Sequence, residues 1–375
     1  MRQQSHPIAT EDHVAGFQLT SFHFGTPRGD DGSGRKAYIQ ASLHADEVPA
    51  MLVAHVLRRE LERLEREGRV VGEVILVPAA NPIGLSQVIH GAPFGRFDIA
   101  SGINFNRSYK HVANDLKQSL RGKLGNDADA NAALIRSHAR RSVAAWQPES
   151  ATQELKKTLL GMAIDADVML DLHCDNEAVL HLYTGTPLAE QVTPLAALMG
   201  AHATLLARES GGEPFDEACS RLWWDLAAAF PDAAVPMGCI GVTVELRGEN
   251  DVRYQLAEQD AHALLQYLGH QGILDIALDP LPAPLSQPTP LEGVEPVAAP
   301  HAGVLVFHKN LGERVQPGDA LADIVNPVSG KVTTLRATQT GVLFASTAHR
   351  HLLRGMNVCK IAGEKAWRSG SLLSQ

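Results

Sequence analysis

Two hydrophobic periods alternate along the first 270 residues of the chain. Short apolar or β-branched runs at 14–24, 37–43, 73–78, 166–172, 179–183 and 239–246 have the length and composition of strands. Between them, Met51, Leu52, Val56, Leu57, Leu61 and Leu64 recur at helical spacing from Pro49 to about Glu67. Pro49 suits the first helical position, where its missing N–H leaves nothing unsatisfied. Helices are also expected over 187–202, 215–230 and 254–269, and residues 112–163 have a helical composition. Strand, helix and strand in this order predict an α/β fold, a mixed central sheet with helices on both faces.

The pattern changes after residue 278. A proline-rich stretch, 279–300, reads as a linker, and 301–375 reads as short strands separated by Gly turns. Gly303-Val-Leu-Val-Phe307 is echoed by Gly341-Val-Leu-Phe344, so two similar β units are expected to form a small sandwich or barrel. The predicted organisation is a catalytic domain over 1–278, the linker, and this β domain.

Chemistry collects at the ends of the expected strands. His44 and Glu47 fall in the turn between a strand and the Pro49 helix, where an imidazole and a carboxylate three residues apart can converge on one ion. The strand at 166–172 delivers Asp171 and His173 to its C-terminal end, where open α/β sheets place ligands. Two imidazoles and a carboxylate fill three positions of a tetrahedral zinc and leave the fourth open, which is a catalytic pattern. Asp171 can hold the second nitrogen of a ligand histidine or simply cap a turn. Glu245, near the end of an otherwise apolar strand, is costly to bury unless it faces a polar site; it is the candidate general base, with a structural pair to Arg247 or to a neighbouring helix end as the alternative. Arg107 beside Asn106 offers a planar fork for a carboxylate, and Arg96 a second cation that can stabilise an oxyanion. A long connection carries these residues, and the helical stretch after it is a candidate lid.

Composition narrows the class. With 33 basic and 42 acidic side chains the formal charge is −9, and no basic run or basic-aromatic stripe appears, which argues against nucleic acid or an anionic membrane as partner. No apolar run approaches the ~20 residues that cross a bilayer. Cys174, Cys219, Cys239 and Cys359 lack paired spacing, so reduced thiols in a cytoplasmic protein are expected.

His44-Ala-Asp-Glu47, Asn104-Phe-Asn106-Arg107, Asp171-Leu-His173 and Thr243-Val-Glu245 resemble, in order and type, the motifs of the succinylglutamate desuccinylase/aspartoacylase family, whose members have a zinc carboxypeptidase-like fold. The resemblance covers roughly residues 35–270. It implies one zinc per chain on His44, Glu47 and His173, Glu245 as general base and acid, and Asn106 with Arg107 as carboxylate binders. The family's oxyanion arginine usually lies closer to the Asn-Arg pair than Arg96 does here. The implied activity is hydrolysis of the amide of a small N-acyl amino acid, with a carboxypeptidase acting on peptide C-termini as the nearest rival and a metal-binding scaffold behind both. The tail resembles a biotinyl/lipoyl-like β domain, but Lys331 lacks the flanks of an attachment lysine. Its expected role is to cover one side of the active-site mouth or to build a homo-oligomer.

Overall fold

The computed structural model describes residues 1–8, 16–29, 32–366 and Leu372. The first strands are β1 (Arg2–Ile8), β2 (Phe17–Gly25) and β3 (Lys36–Ala41), followed by α1 (Pro49–Arg66) and β4 (Glu73–Val77). A helical excursion follows, α2 (Ala113–Ser119), α3 (Ala128–Ala144) and α4 (Ala151–Ala163). Then come β5 (Val168–Asp175), β6 (His181–Gly185), α5 (Ala189–Met199), β7 (Ala203–Ala207), α6 (Phe215–Ala229), β8 (Ile240–Gly248) and α7 (Tyr254–His270). The expected strands and helices are present. Residues 14 and 15 of the first expected strand lie outside the described residues, and β1 and β7 were not expected.

These strands and Thr289–Pro290 form one nine-stranded sheet, in the order β1-β2-β4-β3-β5-β8-β6-β7 with Thr289–Pro290 at the edge. Its centre, β4-β3-β5-β8, is parallel, and β2 and β6 run antiparallel to it. Helices α1, α5 and α7 cover one face with a core that includes Leu57, Leu195 and Leu264. Helices α2, α3, α4 and α6 cover the other, around Leu116, Ile135, Leu159 and Trp223. This is the predicted mixed α/β architecture with helices on both faces.

Strand alternation decides which face carries chemistry. In β5, Val168, Leu170 and Leu172 point into the α1 side, whereas Met169 joins the opposite core and Asp171 and His173 continue its row. In β8, Val242 and Val244 likewise share the α1 side, leaving Thr243 and Glu245 on the other. Glu245 sits directly opposite His173 in the β5–β8 register. One face therefore turns polar only at the C-terminal ends of the central strands.

The tail forms two sheets. Strands 303–307 and 320–325 pair in one sheet and strands 341–346 and 357–363 in the other, and each sheet borrows a short strand from the other half: 351–352 joins the first, 314–315 the second. Each half therefore completes a sheet of the other. The proline-rich stretch 279–300 is not the bare tether expected from its composition. Thr289–Pro290 extends the main sheet beside β7, and Val294–Ala298 belongs to a tail sheet. Glu177–Ala178, just after β5, pairs with Ala345 and Ser346, so the tail is stitched to the strand that carries His173.

Candidate active site

The turn after β3 begins at Ser42, whose φ of 63° is left-handed. It carries His44 and Glu47 toward the end of β5. Ligand atoms of His44, Glu47 and His173 all lie within 4.8 Å of one another, and all three residues are buried. Glu47 Oε1 is 2.7 Å from His44 Nδ1, and Glu47 Oε2 is 2.7 Å from His173 Nδ1. The outer nitrogens are committed elsewhere. Asn104 Oδ1 already accepts the Asn106 N–H at 2.8 Å, so His44 Nε2, also 2.8 Å away, donates to it. His173 Nε2 lies 2.9 Å from Asp171 Oδ2, which as a carboxylate oxygen only accepts. With Nε2 protonated in both rings, each neutral imidazole turns its Nδ1 lone pair on a carboxylate oxygen.

Three acceptors facing one another require either extra protons or a cation between them. Burial and the Arg96 guanidinium pull His44 below the usual imidazole range, against Glu47. At His173, burial acts downward too, but Asp171 and Glu47 raise the ring well above that range. Burial works to raise Glu47, yet the two imidazoles hold it well below the usual carboxylate range. A divalent ion replaces those protons with one charge shared by three donors, so the residues fit the metal. Asp171 is itself held by Gln40 Nε2 at 2.9 Å, and Gln40 by the Tyr38 hydroxyl at 2.8 Å, a fully buried chain behind His173.

Arg96 arrives through a close approach. Ala45 N–H donates to Gly95 O at 3.0 Å, and a Cβ on Gly95 would lie 2.3 Å from Asp46 N. Only glycine lets that loop press on the ligand turn. Arg96 Nη1 consequently reaches Glu47 Oε1 at 3.1 Å. Asn106 is anchored through its Oδ1, which accepts the Phe215 N–H at 2.9 Å. Arg107 lines the same pocket and donates to the Asn106 carbonyl at 2.7 Å. From α4, buried Lys156 donates to Arg107 O at 2.6 Å and to Asn104 O at 3.3 Å, and burial lowers its ammonium to about 8. The helical excursion thus supports the Asn104–Arg107 loop from behind, and none of the pocket's lining residues comes from 112–163. The lid expectation for this stretch does not match that placement.

Glu245 lines the pocket beside His173. Among the described residues its Oε2 is buried and accepts no hydrogen bond, and Arg247 pairs with Asp260, so the pair with Arg247 is not formed. Burial and the neighbouring Glu47 charge push its carboxyl up to about 8, with His173 and Lys360 acting against them. Cys174 is a buried thiol that burial drives upward, so it acts as a packing residue whose N–H donates to Glu47 Oε2 at 3.1 Å. Sequence reasoning missed Lys360. Tail strand 357–363 places its Nζ 2.6 Å from Asp175 Oδ2 at the pocket wall, with Leu291 also lining the pocket. A lysine inside an otherwise apolar run, Val-Cys-Lys-Ile-Ala, was the available signal.

The sequence model of the succinylglutamate desuccinylase/aspartoacylase catalytic domain matches residues 33–271. This chain belongs to that family. Comparison with curated protein sequences finds no match. Among solved structures, a family protein from Shewanella amazonensis SB2B is 26% identical with a TM-score of 0.82, over 96% of this chain and 98% of its own. A second, from Shewanella frigidimarina NCIMB 400, is 24% identical with a TM-score of 0.82, over 96% and 97%. The ectoine utilization protein EutE (DoeB) from Ruegeria pomeroyi, in a product-bound structure, is 17% identical with a TM-score of 0.65, over 96% and 93%. For this family member no described helix is long and apolar enough to cross a membrane.

The Gly95 contact generates a prediction. Gly95→Ala should leave the fold intact but displace Arg96 and the ligand turn, lowering metal affinity by about 10- to 100-fold, the range for losing a ligand's supporting contacts. Chelator competition on the purified variant measures it, and wild-type affinity would mean that the turn does not depend on this contact.

Proposed function

We propose that this family member is a metal-dependent hydrolase that cleaves the amide of a small N-acyl amino acid, releasing a carboxylate and an amine. The observation that carries the reading is the convergence in one pocket of His44, Glu47 and His173, the unpartnered Glu245 and the Arg107 fork. The two-nitrogen, one-oxygen donor set suits one zinc per chain, although other divalent ions fit the same donors. When bound, the ion supplies Lewis acidity toward the acyl oxygen and lowers the pKa of water.

The remaining steps belong to the side chains. Glu245 accepts the proton of the attacking water and returns it to the leaving nitrogen, a role that its raised carboxyl pKa suits near neutral pH. Arg96, half-buried beside Glu47, faces charge that develops on the acyl oxygen. Arg107 takes the substrate carboxylate, with Asn106 fixing its loop and offering an amide N–H. Leu291 and Lys360 wall the pocket, which favours a compact substrate over a peptide chain.

Glu245→Gln should keep its metal and lose turnover of N-acyl amino acids by at least ~100-fold. His44→Ala and His173→Ala should lose metal as well, by elemental analysis of the purified variants. Near-wild-type turnover in Glu245→Gln would remove it from the mechanism.

Lys360 yields a pH prediction. Its charge, held by Asp175, opposes the forces that raise Glu245. Lys360→Met removes that opposition, so Glu245 should titrate at higher pH and the acidic limb of the kcat/KM profile should move alkaline. An unmoved limb would show that Glu245 is not the group titrating there.

A further inference from the structure

Residues Asn104 to Arg107 form a turn, closed by the Arg107 N–H donating to Asn104 O at 3.1 Å. Both ends of that turn converge on one side chain. Lys156 Nζ, from α4, donates to Arg107 O at 2.6 Å and to Asn104 O at 3.3 Å, and Lys156 is only 2% exposed. Ser108, the next residue, takes a left-handed φ of 58°. The chain thus leaves Arg107 through a strained position, which the contacts on either side have to hold. One of them is the Ser108 N–H, which donates to Gly212 O at 2.7 Å; the other is Lys156. Lys156 does not line the pocket, so it meets Arg107 from the side away from the substrate.

Two carbonyls do not by themselves call for a charge. A neutral amide donor satisfies them without the cost of desolvating an ammonium. Here that cost is paid in the titration of the group: burial lowers Lys156 to about 8, with Asp98 acting to keep its proton and Arg107 to remove it. Asp98 spends its oxygens on the Ala100 N–H and on the Ser101 and Thr152 hydroxyls. Tyr109, whose ring centroid lies 5.6 Å from Nζ, is a phenol that burial holds well above its usual range, so it stays neutral. What an ammonium adds over an amide is positive charge directly behind the residue whose fork faces the pocket.

We propose that Lys156 is a positioning residue for substrate binding: its ammonium locks both ends of the Asn104–Arg107 turn and reinforces, from behind, the positive charge that Arg107 offers to a substrate carboxylate. This rests on the reading of Arg107 as the carboxylate ligand, and not on hydrolysis. A protonated Lys156 and a bound carboxylate stabilise each other, so each strengthens the binding of the other. Well below pH 8 the ammonium is present and carboxylate affinity is at its full value. As the pH rises through about 8 the proton leaves, and carboxylate affinity falls with it. A ligand without a carboxylate does not feel the change.

The test is calorimetric binding of N-acetylalanine and of its carboxamide, N-acetylalaninamide, at about pH 7 and about pH 9.5, between which neither ligand titrates. The metal-loaded full chain carries Glu245→Gln, which removes turnover and the carboxyl pushed up to about 8; should turnover persist, KM is read instead. Affinity for the acid should fall by at least about fivefold at the higher pH, while that for the carboxamide stays level. Asp216, pushed up to about 7, lines the same pocket, so variants of the lysine assign the change. Lys156→Arg keeps its charge and should abolish the fall, and Lys156→Met should bind the acid weakly at both pH values. If one variant does not fold, the other decides. An acid affinity that stays level, or that falls equally in a lysine variant, overturns the proposal and leaves Arg107 as the carboxylate ligand. Acid and carboxamide bound alike at about pH 7 overturn that reading of Arg107, and the proposal with it.

Discussion

Glu47 holds its two oxygens 2.7 Å from two imidazole nitrogens, and most of the site is arranged to keep it there. Buried acceptors facing acceptors are unfavourable without a shared cation or extra protons. The surrounding residues remove the easy escapes. Asn104 and Asp171 hold the outer nitrogens of His44 and His173, so neither ring can turn its Nδ1 away. The Cys174 N–H and Arg96 fix the carboxylate from two further directions. Preorganisation of this kind places the strain of the site in the fold, before any ligand arrives.

The fold supplies that rigidity through the parallel strands β3, β5 and β8, whose C-terminal ends meet at the site. Strand alternation separates the two tasks. One row of each strand packs against α1, α5 and α7, and the other ends in Gln40, Asp171, His173, Thr243 and Glu245. The helical excursion then acts as a foundation. Lys156 spends its buried ammonium on the Asn104 and Arg107 carbonyls, and Thr152 donates to Asp98 Oδ2 at 3.0 Å, so α4 fixes both ends of the long connection that bears Arg96 and Arg107. A loop of that length can be precise only because something packed lies beneath it.

Much of this was legible in the chain. The runs that became β3, β4, β5 and β8 are apolar on both faces, as buried parallel strands require, and the polar alternation inside Asp171-Leu-His173-Cys-Asp175 marks the row that leaves the core. His44 and Glu47 could be read because a local turn brings them together. β1 escaped notice because Arg-Gln-Gln-Ser-His is an exposed, polar edge strand held by its pairing with β2, with no apolar period to reveal it. The short β7 escaped because Gly200, in a left-handed C-cap, ends α5 only a few residues before it. Asp216 and Ser210 could not be read at all, and Lys360 showed only as a lysine in an apolar run: each comes from a separate element, and only tertiary packing brings it to the pocket.

The distribution of unpartnered polar atoms carries the synthesis one step further. Among the described residues Glu217 Oε2 and Glu245 Oε2 are buried in the pocket lining without hydrogen-bond partners, while Trp223 Nε1 and His270 Nε2, unpartnered away from it, are an uncharged donor and a ring nitrogen. Elsewhere the same fold pairs its buried charges closely, as Lys36 with Asp165 at 2.6 Å and Arg136 with Asp167 at 2.7 Å. The cations at the pocket are meanwhile partly committed, Arg96 to Glu47 and Lys360 to Asp175. The electrostatic demand left in the pocket is therefore for positive charge between Glu47 and the two imidazoles, the place that a divalent ion fits.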